Sequence, residues 1–225
     1  MNYGNITSTG NDVVGGIAGS TKNTGKIENC YNYGNINARG KAAGIVGQAN
    51  KPVIDCVNYG DINGVWALGG IVGYTKNTES VIITDCVNFG NITASSTGIG
   101  GIFGIIEGGA SAKGAANITN CINNGNVKGT WGVGGIAGDT PGTIADCVNN
   151  GTLDAQGDLG GIIGKAYGKV ESCVNNGDVS ATSVNVGGIV GRLHVSTYLD
   201  IINTTNDNNG SIVGAKVGDI IGYVE

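Results

Sequence analysis

Residues 134–138 read Gly-Gly-Ile-Ala-Gly, and residues 144–151 read Ile-Ala-Asp-Cys-Val-Asn-Asn-Gly. Both segments return 26 residues later, as Gly-Gly-Ile-Ile-Gly at 160–164 and Cys-Val-Asn-Asn-Gly at 173–177. Self-similarity at a fixed period between about 20 and 50 residues is typical of solenoids and arrays, in which one unit stacks on its neighbours. The sequence therefore predicts a stack of one repeated unit.

The repeat can be followed along nearly the whole chain. Its first segment occurs eight times, centred on Ile17, Ile45, Ile71, Ile102, Ile136, Ile162, Ile189 and Ile220. An Asn-x-Gly turn also occurs eight times, ending at Gly4, Gly34, Gly60, Gly90, Gly125, Gly151, Gly177 and Gly210. An aliphatic residue lies two positions after each of these glycines, at Ile6, Ile36, Ile62, Ile92, Val127, Leu153, Val179 and Ile212. Each unit thus holds three short apolar segments.

Three short strands and three turns account for a unit of this length. Stacking one unit on the next aligns like residues with like, as parallel pairing requires, whereas antiparallel hairpins would oppose unlike residues. We therefore predict an all-β, right-handed parallel β-solenoid, or β-helix, with three short strands per coil and about eight coils of roughly 26 residues. Residues 1–225 form a single repeat domain whose first coil is truncated, which indicates a fragment of a longer protein.

The composition of the chain argues against some classes of function. The chain has 44 Gly among 225 residues, only two Pro, 13% charged residues and a formal net charge of −5. This composition is typical of a turn-rich β protein, and the absence of basic clusters argues against a nucleic-acid partner. No apolar run approaches the roughly 18 residues that span a bilayer, so we expect no direct membrane insertion. We also expect the protein to be a monomer.

Six units carry a cysteine in one slot, at Cys30, Cys56, Cys86, Cys121, Cys147 and Cys173. An asparagine follows two residues later, at Asn32, Asn58, Asn88, Asn123, Asn149, Asn175 and Asn208, and Asn206 takes the cysteine slot of the last unit. We expect a column of buried free thiols beside an amide ladder. Bridging of adjacent cysteines or a metal site are the alternatives, although parallel side chains suit neither.

Residue parity predicts which side chains face inward. Counting in steps of two from each cysteine puts the cysteine, the asparagine, the turn glycine and the following aliphatic residue on the inward face. The apolar residue three before each cysteine has the opposite parity. A bend must therefore fall at the polar residue between them, at Asn29, Asp55, Asp85, Asn120, Asp146 and Ser172.

Aromatic residues occupy the slot between the asparagine and the turn glycine in the first half of the chain. The slot reads Tyr3, Tyr33, Tyr59 and Phe89, and then Asn124, Asn150, Asn176 and Asn209. Its parity faces solvent, so these rings are candidate ligand-binding residues for a glycan or a host surface protein. The alternative is an aromatic ladder that only shields the backbone.

Trp66 and Trp131 share another slot, with Ser96 between them, and are further candidates for ligand binding.

Unit length varies mainly between the first segment and the cysteine slot. The longer units carry insertions at residues 21–25, 75–80, 106–116 and 193–199. Insertions at one position of a repeat map to one edge of a solenoid, where a binding surface or a tolerated loop can form.

The Gly-Gly-Ile-x-Gly segment and the Asn/Asp-Cys-x-Asn-x-Gly-x-Ile/Val segment together resemble the GLUG-motif repeats of bacterial surface proteins. Such repeats also occur outside the catalytic domain of IgA-specific metallopeptidases. The resemblance covers nearly the whole chain and implies a secreted or cell-surface, adhesin-like segment without chemistry of its own. The last unit departs from it, because Asp219 stands where the second glycine is expected.

The sequence predicts no catalytic residue, metal or cofactor. His194 is the single histidine, so a His-Glu-x-x-His metallopeptidase site is excluded within this chain. The carboxylates Asp61, Asp85, Asp139, Asp158 and Asp178 are scattered, with no evident pair on one face. The alternative function, a polysaccharide-active β-helix lyase or hydrolase, would need such a pair or an equivalent group.

Overall fold

The computed structural model describes residues 1–10, 12–21, 25–194, 201–202, 204–206 and 212–225. Over these residues the chain is an all-β parallel solenoid of about seven turns, which fits a right-handed β-helix with three extended segments per coil. All pairings between named strands are parallel, and each joins a strand to its counterpart one unit away, as in Ile62↔Ile92 and Asn123↔Asn149. The predicted fold class is confirmed.

Two of the three segments are bent, so each coil contributes to five parallel ladders of strands. We number the ladders in the order in which the chain enters them. Ladder 1 contains Ile6–Ser8, Ile36–Ala38, Ile62–Gly64, Ile92–Ala94, Val127–Lys128, Leu153–Ala155, Val179–Ala181 and Ile212–Val213. Ladder 2 contains Val13–Gly15, Lys41–Ala43, Leu68–Gly69, Thr97–Gly100, Trp131–Gly134, Gly157–Gly160, Val186–Gly187 and Val217–Gly218.

The remaining ladders complete each coil. Ladder 3 contains Ala18–Ser20, Val46–Gln48, Val72–Thr75, Phe103–Ile106, Ala137–Thr140, Ile163–Ala166, Val190–Leu193 and Ile221–Val224. Ladder 4 contains Ile27–Glu28, Val53–Ile54, Val81–Thr84, Ala116–Thr119, Ile144–Ala145, Val170–Glu171 and Ile201–Ile202. Ladder 5 contains Tyr31–Asn32, Val57–Asn58, Val87–Asn88, Ile122–Asn123, Val148–Asn149, Val174–Asn175 and Thr205–Asn206. A single 3₁₀ turn is described, at Gly109–Ser111.

The bend before the cysteine lies where parity predicts it. Asn29, Asp55, Asp85, Asn120, Asp146 and Ser172 all adopt the left-handed conformation, with φ between 50° and 57°. Asn and Asp tolerate this region because their short side chains bond locally. One such residue reverses the parity, so the residue two positions before it and the residue directly after it both point inward. Val53 and Cys56 are accordingly both fully buried.

The interior consists of two apolar columns. One column is formed by ladders 3 and 4 with the cysteines, and the other by ladders 1 and 2. The asparagine of ladder 5 reaches across the interior to the glycine between ladders 2 and 3. A Cβ at Gly44 would lie 2.2 Å from Cγ of Asn58, and one at Gly161 would lie 2.5 Å from Cγ of Asn175. Only glycine leaves room for the amide here, which explains the second glycine of the Gly-Gly pair.

In the last coil, one residue aligns with a different slot from the one that the sequence spacing predicts. Asn206 pairs with Asn175 and therefore continues the asparagine column, not the cysteine column as expected from spacing. Asn208 and Asn209 lie outside the described residues. The strands around Asp219 still pair with the preceding coil, and Asp219 accepts a hydrogen bond from Asn206 at 2.9 Å.

The two fully described insertions lie on one edge of the solenoid, between ladders 3 and 4, as the unit lengths predict. The segments 75–80 and 106–116 are fully described. Residues 22–24 and 195–199, which belong to the other two insertions, are outside the described residues.

Candidate functional site

Four aromatic rings form a continuous stack on the outside of the rod. Tyr3, Tyr33, Tyr59 and Phe89 lie in consecutive coils with ring centroids 4.8–5.0 Å apart and interplanar angles of 1–5°. The spacing matches the distance between paired strands, so the backbone dictates the stack. The rings are 41–71% exposed. We call this feature the aromatic ladder. Because inner rings cover each other's faces, the ladder presents mainly ring edges and hydroxyl groups to solvent.

The same slot carries an amide stack in the second half of the rod. Nδ2 of Asn150 donates to Oδ1 of Asn124 at 2.8 Å, and Nδ2 of Asn176 donates to Oδ1 of Asn150 at 2.8 Å. The slot therefore accepts either an aromatic ring or an amide without a change in the coil. The aromatic ladder is a property of the first half that the backbone does not require.

The inner asparagine ladder is structural and runs without interruption from Asn2 to Asn206. In each buried member, Nδ2 donates both to Oδ1 of the next asparagine and to the carbonyl of the turn glycine, as Asn123 does to Asn149 and Gly125 at 2.8 Å each. The members of the predicted ladder, Asn32, Asn58, Asn88, Asn123, Asn149 and Asn175, are fully buried. Satisfied buried amides of this kind define the register of the stack.

The six cysteines form the predicted column of free thiols. Five of them are buried, while Cys30 is partly exposed. Each thiol lies near the carbonyl two residues earlier, as in Cys147 to Ala145 at 3.1 Å. Burial raises the pKa of the Cys121 thiol, which keeps it protonated. The five buried thiols lie within the apolar column of ladders 3 and 4 and pack there as small apolar side chains.

The two tryptophans make different contacts. Trp131 pairs in register with Thr97, so the residue in the intervening coil is Thr97, and the expected position of Ser96 is wrong. The Trp131 ring lies over Gly157, where an added Cβ would come within 2.7 Å of it. Trp66 instead meets the ring of Tyr74 edge to face, with centroids 6.3 Å apart.

A groove beside Trp66 is a feature that sequence reasoning missed. It has a volume of about 270 Å³ and is lined by Lys41, Trp66, Tyr74 and residues 105–109. Nζ of Lys41 lies 3.8 Å from the centroid of the Tyr74 ring and 5.2 Å from that of Trp66. We call this feature the Trp66 groove. The signal was present in the sequence, because Tyr74 directly follows the glycine that ends a Gly-Gly-Ile-x-Gly segment and thus faces outward.

A charged cluster in the second half was also missed. Asp139, Lys165 and Arg192 occupy that same outward slot of ladder 3 in three consecutive coils. Asp158, in ladder 2, is 1% exposed and lies 3.0 Å from Nε of Arg192 and 3.6 Å from Nζ of Lys165. Asn185 donates a further hydrogen bond to it at 2.7 Å. The carboxylates at 139 and 158 are therefore not scattered, since Lys165 lies between them.

Asp139 is the most perturbed carboxyl group of this cluster. It is 6% exposed, and its Oδ1 accepts no hydrogen bond from the described residues. Burial raises its pKa to about 7, although the positive charge of Lys165 opposes the shift. Gly109 of the 106–116 insertion covers the group, because a Cβ there would lie 3.3 Å from its Oδ2. Burial likewise raises the pKa of the neighbouring Tyr167.

The described residues contain no group of three or more His, Cys, Asp or Glu side chains suited to a metal ion. Across the same part of the chain no helix has the length and apolarity needed to span a bilayer.

The fold defines the chain as a β-solenoid repeat protein. No family model, curated protein or solved structure matches it.

Proposed function

We propose that this chain is a non-catalytic structural and adhesive repeat segment of a secreted or cell-surface bacterial protein, and that it binds a glycan or a host surface protein. The resemblance of its units to GLUG-motif repeats supports the location and the absence of chemistry. The observation that carries the binding role is the exposed aromatic ladder of Tyr3, Tyr33, Tyr59 and Phe89.

The aromatic ladder exceeds what the fold needs. Neither apolar column of the interior includes any of its rings, and the second half of the rod uses Asn124, Asn150 and Asn176 in the same slot. A row of exposed rings on a rigid support provides apolar edges together with phenol hydroxyls. Such surfaces are typical of recognition sites because one end is apolar and the other forms hydrogen bonds.

The test is retention of glycans and host-surface proteins on an array by the protein and by a variant with Tyr33→Asn, Tyr59→Asn and Phe89→Asn. Asparagine is the appropriate replacement, because the chain itself stacks asparagine in this slot. We expect retention to be lost while the far-ultraviolet circular dichroism spectrum is unchanged. If the variant retains the same glycans and proteins to the same extent, the aromatic ladder is not the binding site.

An enzyme acting on polysaccharides is the second candidate, and Asp139 is the observation that favours it. A carboxyl group with a pKa of about 7 can act as a general acid or base near neutral pH. The structural and adhesive role is preferred because Asp139 is 6% exposed beneath Gly109, which leaves a substrate no access in this conformation. Turnover of any acidic or neutral glycan that disappears with Asp139→Asn would establish the enzyme instead.

A further inference from the structure

The two aromatic rings of the Trp66 groove lie outside both apolar columns of the solenoid. Tyr74 points outward from ladder 3, yet it is only 5% exposed, because Trp66 and Lys41 cover its ring. Neither ring belongs to the buried clusters that hold the coils together. The groove is therefore an aromatic cluster built on the outer surface and not a part of the core.

The volume and lining of the groove suit a small ring-shaped ligand. Its volume of about 270 Å³ lies just below the roughly 300–1,000 Å³ found for pockets of drug-sized ligands, which suits a single small ring. The partly exposed side chain of Ile105 provides an apolar side, and the half-buried indole of Trp66 provides a flat one. Apolar walls with a few placed polar groups are the usual composition of such sites.

The groove contains one positive and one negative side chain, Lys41 and Glu107, and no ion pair joins them. Lys41 lies over the two rings and forms no ion pair within the described part of the chain. Glu107, from the 106–116 insertion, is hydrogen-bonded to the Tyr74 hydroxyl. An ammonium group without a carboxylate partner favours an anionic ligand, whereas a carboxylate favours hydroxyl donors.

We infer that the Trp66 groove binds a carboxylate-bearing pyranose, such as a uronic or sialic acid residue of a glycan. The apolar face of the sugar ring packs on Trp66, its carboxylate pairs with Lys41, and its hydroxyl groups donate to Glu107. This inference rests on the proposed glycan-binding function and adds the Trp66 groove to the aromatic ladder as a second site, with acidic sugars as its class of ligand.

The test uses an array of oligosaccharides that contain uronic or sialic acid residues, each paired with its methyl ester. The ester removes the charge and keeps the ring. We expect the protein to retain acidic members and to retain their esters at least about tenfold less, since a charge-assisted hydrogen bond contributes about 1.5–3 kcal/mol. Retention of acid and ester to the same extent, or retention of neither, would contradict the inference.

Two variants locate the site. Lys41→Gln and Trp66→Leu should each lower retention of the acidic members at least about tenfold. Lys51→Gln is the matched control, because it removes the same charge from the same coil outside the groove and should leave retention unchanged. Circular dichroism checks that each variant is folded, and undiminished retention by Lys41→Gln would overturn the assignment.

The outcome also separates this inference from the proposed function. If Lys41→Gln retains glycans fully and the Tyr33→Asn, Tyr59→Asn, Phe89→Asn variant does not, adhesion by the aromatic ladder stands and the groove assignment falls. If the unmodified protein retains no glycan of any kind, the glycan-binding function and the groove assignment fall together.

Discussion

The two halves of the rod share their inner columns and differ in their outer ones. Asn58 in the first half and Asn149 in the second make the same two hydrogen bonds, each at 2.8–2.9 Å. On the outside, the first half carries the aromatic ladder and the Trp66 groove. The second half carries an amide stack and the charged cluster around Asp158.

This difference shows that the inward positions fix the fold and leave the outward positions free. A coil needs its glycine, its asparagine and its inward aliphatic residues to stack on the next coil. The outward slots are then filled in different ways in each half, and in this chain they supply the candidate sites. Changes to inner columns should therefore act alike in both halves, and changes to outer columns should act in only one.

The largest effect is expected at Asp158, which only the second half possesses. Asp158→Ala would leave Arg192 and Lys165 without their buried partner, and removing one member of a buried ion pair costs about 3–5 kcal/mol. We expect this loss in the free energy of unfolding measured with urea. Asp154→Ala is the control, because its ion pair with Lys128 is exposed and contributes at most about 1 kcal/mol. Similar small losses for both variants would contradict the account.

Asp139 should make the stability of the protein depend on pH. Its pKa is about 7 in the folded protein, raised from the ordinary 3.8 of an exposed aspartate. The folded state therefore binds the extra proton, and stability falls as the pH rises from about 4 to about 7. Lys165 and Tyr167 are the titratable groups that face it.

Asp139→Asn should remove this penalty. We expect the variant to be about 2–4 kcal/mol more stable than the unmodified protein at pH 8 and nearly equal to it at pH 3.5. Urea denaturation at both pH values measures the difference. A variant that is less stable at pH 8 would show that the carboxylate is stabilised in the folded state, contrary to this account.

The inner asparagine ladder should respond equally in both halves. Asn58→Ala and Asn149→Ala each leave a buried glycine carbonyl and a neighbouring amide without a partner, which costs about 2–3 kcal/mol. Asn150→Ala is the matched control on the outer face and should change stability by about 0.5 kcal/mol or less. Unequal losses at the two inner positions would indicate that the halves do not share one packing arrangement.

Much of the fold was predictable because the repeat offsets fix the register. The free-thiol column, the amide ladder and the left-handed bend at residues such as Asp55 all follow from spacing and parity. Exposure of Tyr33 follows from parity in the same way. The error at Asn206 arose where the last unit is irregular, so that spacing no longer identifies the slot.

The missed sites depend on contacts between different slots. Asp158 and Arg192 belong to different ladders and meet because of the bend at Asp158, where φ is 47°. Asp139 is buried because the 106–116 insertion covers it, and this insertion is longer than those of the other units. A repeat pattern describes what all coils share, so it carries no information on a contact that a single insertion creates.

The most direct test of this account moves the aromatic ladder from the first half to the second. The chain would carry Tyr33→Asn, Tyr59→Asn and Phe89→Asn together with Asn124→Tyr, Asn150→Tyr and Asn176→Tyr, and its retention on the array would be compared with that of the first three substitutions alone. We predict that the transferred ladder restores retention while the circular dichroism spectrum is unchanged. A folded protein with the transferred ladder and no retention would contradict the claim that an exposed aromatic column on this rod is sufficient for binding.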